Sequence, residues 1–249
     1  MKKINFLLLV LFTAFSVSAQ ENELKQAEES YTKEDYGKAI ELYESALNKY
    51  GESAAVYYNL GNAYYKANKI APAVLNYERA LLLAPGDGDI RFNLQMARQK
   101  AVDQIEPLDT FFLSKWFNRI QDMGSADGWA TLALVCFLLF IGCLILFFFS
   151  RKLLLKKGGF YAGIVLLVIV LVANIFAARQ KTDLENRSTA IVFAPTVTVK
   201  SSPNESGTDL FILHEGTKVA IKSTLGEWSE IVLEDGNVGW MPSSKIEII

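Results

Sequence analysis

Few side chains in this 249-residue chain are suited to covalent catalysis. Its one histidine, His214, has no cysteine or serine nucleophile arranged around it in the sequence, and we interpret it as a residue of a turn or a strand end. The cysteines, Cys136 and Cys143, lie inside an apolar segment, and their spacing is neither C-x-x-C nor that of a metal site. An enzyme needs a nucleophile with a base, or a metal cluster. The sequence therefore predicts a protein that is not an enzyme and has neither a cofactor nor a metal site.

Tyrosine, alanine and glycine recur instead at a spacing typical of paired helices. Gly61 and Ala73 are small where two antiparallel helices must cross closely, and Pro85 lacks the amide hydrogen that a continuing helix needs. The segment 54–87 resembles a tetratricopeptide repeat, a helix-turn-helix unit of a protein-binding solenoid. The positions that carry the resemblance are Tyr57, Leu60, Gly61, Tyr64, Ala73, Tyr77, Ala80 and Pro85.

A weaker copy of the repeat precedes this segment, in residues 20–53. Its second helix keeps Tyr36, Ala39 and Tyr43, but its first helix has Ala27 for the glycine and Ser30 for the tyrosine. Residues 88–104 repeat only the beginning of the pattern and predict a solvating cap helix. The repeat domain, 20–104, is then shorter than the roughly three repeats that a stable solenoid needs. We therefore expect support from a partner or from self-association.

The resemblance to tetratricopeptide repeats implies a concave groove formed by the first helices. Tyrosine offers stacking area with little entropy to lose, and asparagine pairs with the donor and the acceptor of a peptide bond. Leu24 and Asp89 stand where carboxylate-binding repeats have basic residues, so a C-terminal carboxylate is not the expected ligand. A merely solvated face is the alternative to binding. The expected contact residues are Glu28, Tyr31, Tyr58, Asn62, Tyr65 and Met96.

Two further segments, 129–149 and 160–177, are apolar, uncharged and close to the roughly 20 residues that cross a bilayer. The loop between them, 150–159, has four basic residues and no acidic one. Cytoplasmic loops are enriched in lysine and arginine. The sequence therefore predicts two transmembrane helices in the inner (cytoplasmic) membrane, with the flanking domains on the periplasmic side.

The first 19 residues agree with this topology. Lys2 and Lys3 precede an apolar run, and small residues follow at 17–19, as in a secretory signal peptide. A retained membrane anchor is the alternative. Either interpretation exports the repeats.

The segment 105–128, between the repeats and the first span, has aromatic and basic residues at helical spacing, among them Phe112, Trp116 and Arg119. This pattern favours an amphipathic helix on the lipid bilayer surface. It is equally typical of a last helix that covers the repeat core. Both interpretations remain open from the sequence.

The C-terminal region, 188–249, has six short alternating segments separated by turns, which predict a small all-β fold. The order of its turn and Gly-Trp motifs resembles a bacterial SH3-like barrel. In such domains Trp228 and Trp240 are largely core residues, but they can also line a groove that stacks on a peptide or a glycan. The whole chain is thus expected to be a multidomain membrane protein: an all-α repeat solenoid, a two-helix transmembrane hairpin and a small all-β barrel.

This order of features, together with residues 89–94, resembles the BatE family of the Bacteroides aerotolerance operon. The resemblance implies a membrane-anchored scaffold with von Willebrand factor A-type membrane proteins as partners and a link to oxidative-stress tolerance. A chain with 25 basic and 27 acidic residues has no basic field for nucleic acid. The alternative function is docking to peptidoglycan or a wall peptide through the SH3-like domain.

Overall fold

The computed structural model describes residues 21–109 and 111–249. The predicted signal peptide, 1–19, lies outside the described residues. The chain divides into two compact units. The described part of the first unit is 21–83, 87–109 and 188–249, and that of the second is 84–86 and 111–187.

The first unit begins with consecutive helices in antiparallel pairs. They are α1, helical over the described residues 21–32, α2 (Tyr36–Tyr50), α3 (Ala54–Lys66), α4 (Ile70–Leu83) and α5 (Gly88–Arg98). The turns within the two pairs contain Glu34 and Asn68 with φ of 62° and 58°, at corresponding positions of the two repeats. Helix α4 ends two residues before Pro85. The region predicted as two repeats and a cap helix is an all-α, repeat-like helical fold, and its last helix ends at Arg98.

The crossing of α3 and α4 shows why the repeat needs a glycine. A Cβ built on Gly61 would lie 2.7 Å from Cδ1 of Tyr77, so the ring occupies the space that any side chain at position 61 would take. Tyr57, Leu60 and Tyr77 are buried around this contact. The predicted close approach of the two helices is therefore confirmed.

The C-terminal region forms one antiparallel sheet of seven strands, ordered β3-β2-β6-β5-β4-β1-β7. Six strands lie where the alternating pattern predicts them, and β7 was not predicted. Alternate residues, such as Val197, Val199, Ile231 and Met241, point into one buried cluster. The strands are β1 (Thr189–Val192), β2 (Thr196–Lys200), β3 (Asp209–His214), β4 (Lys218–Leu225), β5 (Trp228–Val232), β6 (Val238–Pro242) and β7 (Ile246–Ile248).

The sheet packs directly on the repeats. Ile191 of β1 and Ile249, which follows β7, are 0% and 3% exposed, in the same buried cluster as Ala73 and Val74 of α4. Residues 188–249 were predicted as a separate domain, whereas here they share a core with the repeats. The second helix of a repeat leaves an apolar side uncovered when no further repeat follows. The sheet covers it, so this part of the expected support comes from within the chain.

Charged groups also join the sheet to the helices. Glu78 of α4 is 5% exposed, and Lys218 of β4 donates to its Oε2 at 2.8 Å while Arg98 pairs with its Oε1. Burial alone would raise the pKa of Glu78, but the charges of Lys218 and Arg98 hold it below its ordinary value. The cluster is a buried carboxylate with two cationic partners from different elements.

His214 belongs to a second junction of this kind. It is the last residue of β3, as its predicted place at a turn or strand end requires, and its Nδ1 lies 2.8 Å from Oδ1 of Asp103. The backbone N–H of His214 and the hydroxyl of Thr217 both donate to Oδ2 of Asp103 at 2.7 Å. Burial opposes ionisation of Asp103, yet these hydrogen bonds hold its pKa below the ordinary value. The histidine thus joins β3 to the segment after α5.

The second unit contains α6 (Phe112–Gln121), α7 (Ala126–Phe149) and α8 (Leu153–Glu185). Helices α7 and α8 are long and apolar enough to cross a membrane. They approach closely at Gly159, where an added Cβ would lie 2.8 Å from the backbone oxygen of Cys143. Helix α8 begins at Leu153, so only residues 150–152 separate the two helices, and Lys156 and Lys157 of the predicted loop lie in α8 instead.

Candidate partner-binding groove

The first helices of the repeats line a groove of about 400 Å³. Its walls come from α1, α3 and α5, which succeed one another as the first helices of the two repeats and the cap. Five of the six predicted contact residues lie here, namely Tyr31, Tyr58, Asn62, Tyr65 and Met96. The structure adds Lys66, Tyr77, Phe92 and Asn93 to the lining. Residues 65 positions apart in the chain, from Tyr31 to Met96, are thus brought to one surface.

The sixth predicted residue, Glu28, lies in an adjoining groove of about 220 Å³. Tyr31 and Asn62 line both grooves, so the two are adjacent. The smaller groove also contains Thr32, Tyr43 and Asn59. All six predicted residues therefore lie on a single face, which we call the concave face.

Hydrogen bonds hold the floor of the larger groove. The Tyr77 hydroxyl donates to Oδ1 of Asn62 at 2.7 Å, and Nδ2 of Asn93 donates to the same oxygen at 2.9 Å and to the Tyr58 hydroxyl at 3.0 Å. Burial raises the pKa of Tyr77, so its hydroxyl stays protonated and remains a donor. Because two donors already satisfy the Asn62 oxygen, its amide NH₂ is the group suited to donate to a ligand.

The rim of the groove is apolar and accessible. Phe92 and Met96 of α5 are 62% and 40% exposed. Phe92 was not among the predicted contact residues, although the sequence contains the signal: Phe92 and Asn93 stand in the cap helix where Tyr58 and Asn59 stand in α3. The prediction took only Met96 from this helix and omitted Phe92, although Phe92 stands at the repeat position of Tyr58.

The two parts of the concave face differ in charge. Lys66 lines the larger groove, and Nζ of Lys100 lies 4.2 Å from the ring centroid of Tyr65, a cation–π distance. Glu28 supplies a carboxylate to the smaller groove. The concave face therefore has cations beside Tyr65 and an anion beside Tyr31.

The two tryptophans of the sheet lie on a different surface. In β5 and β6 the residues Ser229, Ile231, Gly239 and Met241 are buried, so the alternate residues point to the opposite face. Trp228 and Trp240 are half-buried on that opposite face. The tryptophans thus lie outside the buried cluster, which is built from the neighbouring positions, and their role as ligand-binding residues stays a prediction.

A repeat solenoid with an exposed aromatic groove is the architecture of a protein–protein interaction module. Comparison with known proteins supports this assignment for one repeat. The family model for the tetratricopeptide repeat matches residues 54–87, which are α3, α4 and their turn with the four residues after α4. No curated protein matches the chain.

One solved structure similar to the chain is the Sgt2 TPR domain from Aspergillus fumigatus. The two share 14% sequence identity over 67% of this chain and 82% of that one, with a TM-score of 0.32. The repeat match, and not this likeness, assigns the interaction module.

Proposed function

We propose that this protein is a non-enzymatic scaffold, anchored in a membrane by α7 and α8, whose concave face binds a segment of a partner protein. The observation that carries the proposal is the groove of about 400 Å³ in which the exposed apolar side chains of Phe92 and Met96 border a hydrogen-bonded polar floor. Buried aromatic side chains supply much of the binding energy of protein interfaces. A floor that is already ordered reduces the entropy lost on binding.

The expected ligand is an extended or helical segment with an apolar anchor. Phe92, Met96 and Tyr65 offer apolar area to one large side chain, and the amide of Asn62 can donate to a backbone carbonyl beside it. Lys66 and Lys100 favour a segment with an acidic residue near that anchor.

The proposed location follows from the basic residues between the two predicted spans, and the proposed partners follow from the resemblance to the BatE family. One end of the hairpin carries four basic residues, which favour the cytoplasmic side for that end: Arg151, Lys152, Lys156 and Lys157. The repeats and the sheet then lie in the periplasm. The partners implied by the resemblance are von Willebrand factor A-type membrane proteins, in a Bat-type complex linked to oxidative-stress tolerance.

The test uses the full chain, purified from detergent-solubilised membranes by an affinity tag, with mass spectrometry of the proteins that accompany it. The groove variant is Phe92→Ala/Met96→Ala, because both side chains are exposed and their removal costs little stability. The matched control is Val102→Ala, which is 68% exposed and does not line the groove. Tyr58 and Asn62 are less suitable targets because they belong to the hydrogen-bonded floor.

We expect proteins with von Willebrand factor A domains to accompany the unaltered chain and the Val102→Ala control, and to be lost from the groove variant. If the groove variant retains the same proteins, the concave face is not their binding site. If such proteins are absent from all three samples, the Bat-type assignment fails.

A second candidate function is supported by the tryptophans. Trp240 lies opposite Glu230, and Trp228 lies opposite Pro242, so both indoles share one face of the sheet outside its core. An SH3-like domain with this face could stack on peptidoglycan or a wall peptide. Sedimentation with purified peptidoglycan should then bring down the full chain but not Trp228→Ala/Trp240→Ala, while Phe92→Ala/Met96→Ala still sediments.

A further inference from the structure

Helix α6 packs against the end of the hairpin formed by α7 and α8. The ring centroid of Phe117 lies 4.8 Å from that of Phe176 in α8, and the guanidinium of Arg179 lies 5.3 Å from the Phe117 centroid. Phe176 in turn lies 4.9 Å from Trp129 near the start of α7. One side of α6 is therefore occupied by contacts with α8, whose Phe176 also packs against α7.

Two side-chain donors fix the C-terminal end of α6. Nε1 of Trp129 donates to the backbone oxygen of Gln121 at 2.8 Å, and Nε2 of Gln180 donates to the same oxygen at 2.9 Å. Gln180 also donates to the backbone oxygen of Gly124 at 2.7 Å and is 7% exposed. Carbonyls at a helix end need such partners when they are buried. The orientation of α6 on the hairpin is thus set by buried hydrogen bonds.

The side of α6 next to these contacts is apolar and uncovered. Phe112, Leu113 and Trp116 are 67%, 52% and 62% exposed, and their spacing places them together on the helix surface. Phe111, just before the helix, is 65% exposed. Arg119 borders this apolar side, and Asn118 lies on the far side of the helix. The hydrogen bonds of Trp129 and Gln180 to the end of α6, which we call the clamp, therefore keep a surface of large apolar side chains exposed beside the apolar hairpin.

We propose that α6 lies in the plane of the membrane with Phe112, Leu113 and Trp116 inserted at the boundary between lipid headgroups and acyl chains. The inference rests on the proposed insertion of α7 and α8 in a membrane. Helix α6 is joined to the ends of both spans, at the level where tryptophan is enriched in membrane proteins. Arg119 beside the apolar side suits lipid phosphates, and such helices bury their apolar face by roughly 5–10 Å.

The function of this arrangement is to hold the segment that follows the repeats on the bilayer surface. The hydrogen bonds of Gln180 and Trp129 connect α6 rigidly to the spans, whereas an unclamped amphipathic segment would exchange between lipid and water. Removal of the clamp should leave the spans in the membrane and free α6.

The experiment uses spin labels on the full chain in vesicles of phosphatidylcholine and phosphatidylglycerol. The background is Cys136→Ala/Cys143→Ala, and single cysteines are introduced by Leu113→Cys on the apolar side and Asn118→Cys on the far side. A third label, at Leu138→Cys, reports on α7 itself, where Leu138 is 60% exposed. Collision rates with oxygen, which concentrates in lipid, are compared with those of a water-soluble nickel chelate.

We expect the label at 113 to collide mainly with oxygen and the label at 118 mainly with the nickel chelate. Adding Gln180→Leu should shift the label at 113 toward the chelate and leave the label at 138 unchanged. If 113 is reached by the chelate as readily as 118 while 138 remains in lipid, the inference about α6 is wrong and the membrane anchor stands. If 113 is shielded from both reagents, a second protein surface covers it, which also overturns the inference. If 138 is reached by the chelate, the proposed membrane insertion itself fails.

Discussion

Single side chains determine how closely the helices of this protein can pack. Gly61 is the clearest example, because the Tyr77 ring that it contacts is itself held by a hydrogen bond to Asn62. Rotation of the ring away from a new side chain would break that bond and disturb the groove floor. A glycine in the helix thus serves both the fold and the candidate site.

For Gly61→Ala we expect a loss of roughly 1–3 kcal/mol in the free energy of unfolding of the repeats, as for other overpacked cores. Thermal unfolding of the full chain in detergent, followed by circular dichroism, measures the change. The matched control is Gly37→Ala in α2, where an added Cβ meets only Asp35, 4.0 Å away. Alanine there should be neutral or stabilising by up to about 1 kcal/mol. Equal destabilisation by the two variants would contradict the role of the Tyr77 contact.

Glu78 is the residue at which the helices and the sheet are joined electrostatically. Because its pKa in the folded protein is lowered, its contribution to stability is fully present above the unfolded-state value, 4.5, and is lost as the pH falls through the folded pKa. Asp103, with its lowered pKa, acts in the same direction. Acid should therefore weaken the contact of the sheet with the helices. Above about pH 5, the contributions of Glu78 and Asp103 to the free energy of unfolding should not change with pH.

For Glu78→Gln we expect a loss of roughly 1.5–3 kcal/mol, typical of hydrogen bonds to a charged group, and a weaker acid dependence. Hydrogen exchange of α4 and β4, measured by mass spectrometry at neutral and acid pH, reports both effects. The control Glu29→Gln alters an exposed pair 3.9 Å from Lys33 and should change exchange little. An unchanged acid dependence in Glu78→Gln would assign the titration to other groups.

At the scale of elements, the sheet stabilises the repeats. Ile191 of β1 belongs to the buried cluster of α4 rather than to the inner cluster of its own sheet. Deletion of residues 188–249 would therefore uncover α4. Loss of partner binding after that deletion would therefore not show that the sheet binds the partner.

Ile191→Ala tests this support more finely than a deletion. Loss of a buried isoleucine costs roughly 2–5 kcal/mol. We expect faster hydrogen exchange in α4 as well as in β1. The control is Ile212→Ala in β3, which removes a side chain that is 55% exposed and should have an effect within about 0.5 kcal/mol. If hydrogen exchange accelerates in β1 alone, the sheet does not stabilise the repeats.

At the scale of the whole molecule, the proposed topology puts the repeats and the sheet on one side of a membrane. The physical reason is the basic cluster at the end of the hairpin, in residues 151–157, which resists translocation. In the background Cys136→Ala/Cys143→Ala, we expect a membrane-impermeant maleimide to label Lys33→Cys and Glu205→Cys in intact spheroplasts. Arg151→Cys should react only after lysis. Labelling of position 151 in intact spheroplasts, without labelling of 33 and 205, would reverse the orientation.

The sequence by itself determined the features that depend on local periodicity. The repeat signature predicted the helix pair from Ala54 to Leu83, the uncharged segments predicted α7 and α8, and alternation predicted six of the seven strands. Even the concave face could be predicted for six residues, because the resemblance to tetratricopeptide repeats implies which positions of the first helices face it. Phe92 could have been added by the same reasoning.

Only the tertiary structure decided how these elements meet. The ion pair of Glu78 with Lys218 joins residues 140 positions apart, and no local pattern encodes such a contact. The same holds for Ile191 in the core of the repeats, for the tryptophans outside the core of the sheet and for Gln180, which donates to the backbone oxygen of Gln121 in α6. Periodicity specifies which face of an element is apolar, because the helix and the strand have fixed geometry. The pairing of one apolar face with another depends on shape and charge complementarity between elements that are distant in the chain. These pairings are therefore seen only in the folded structure.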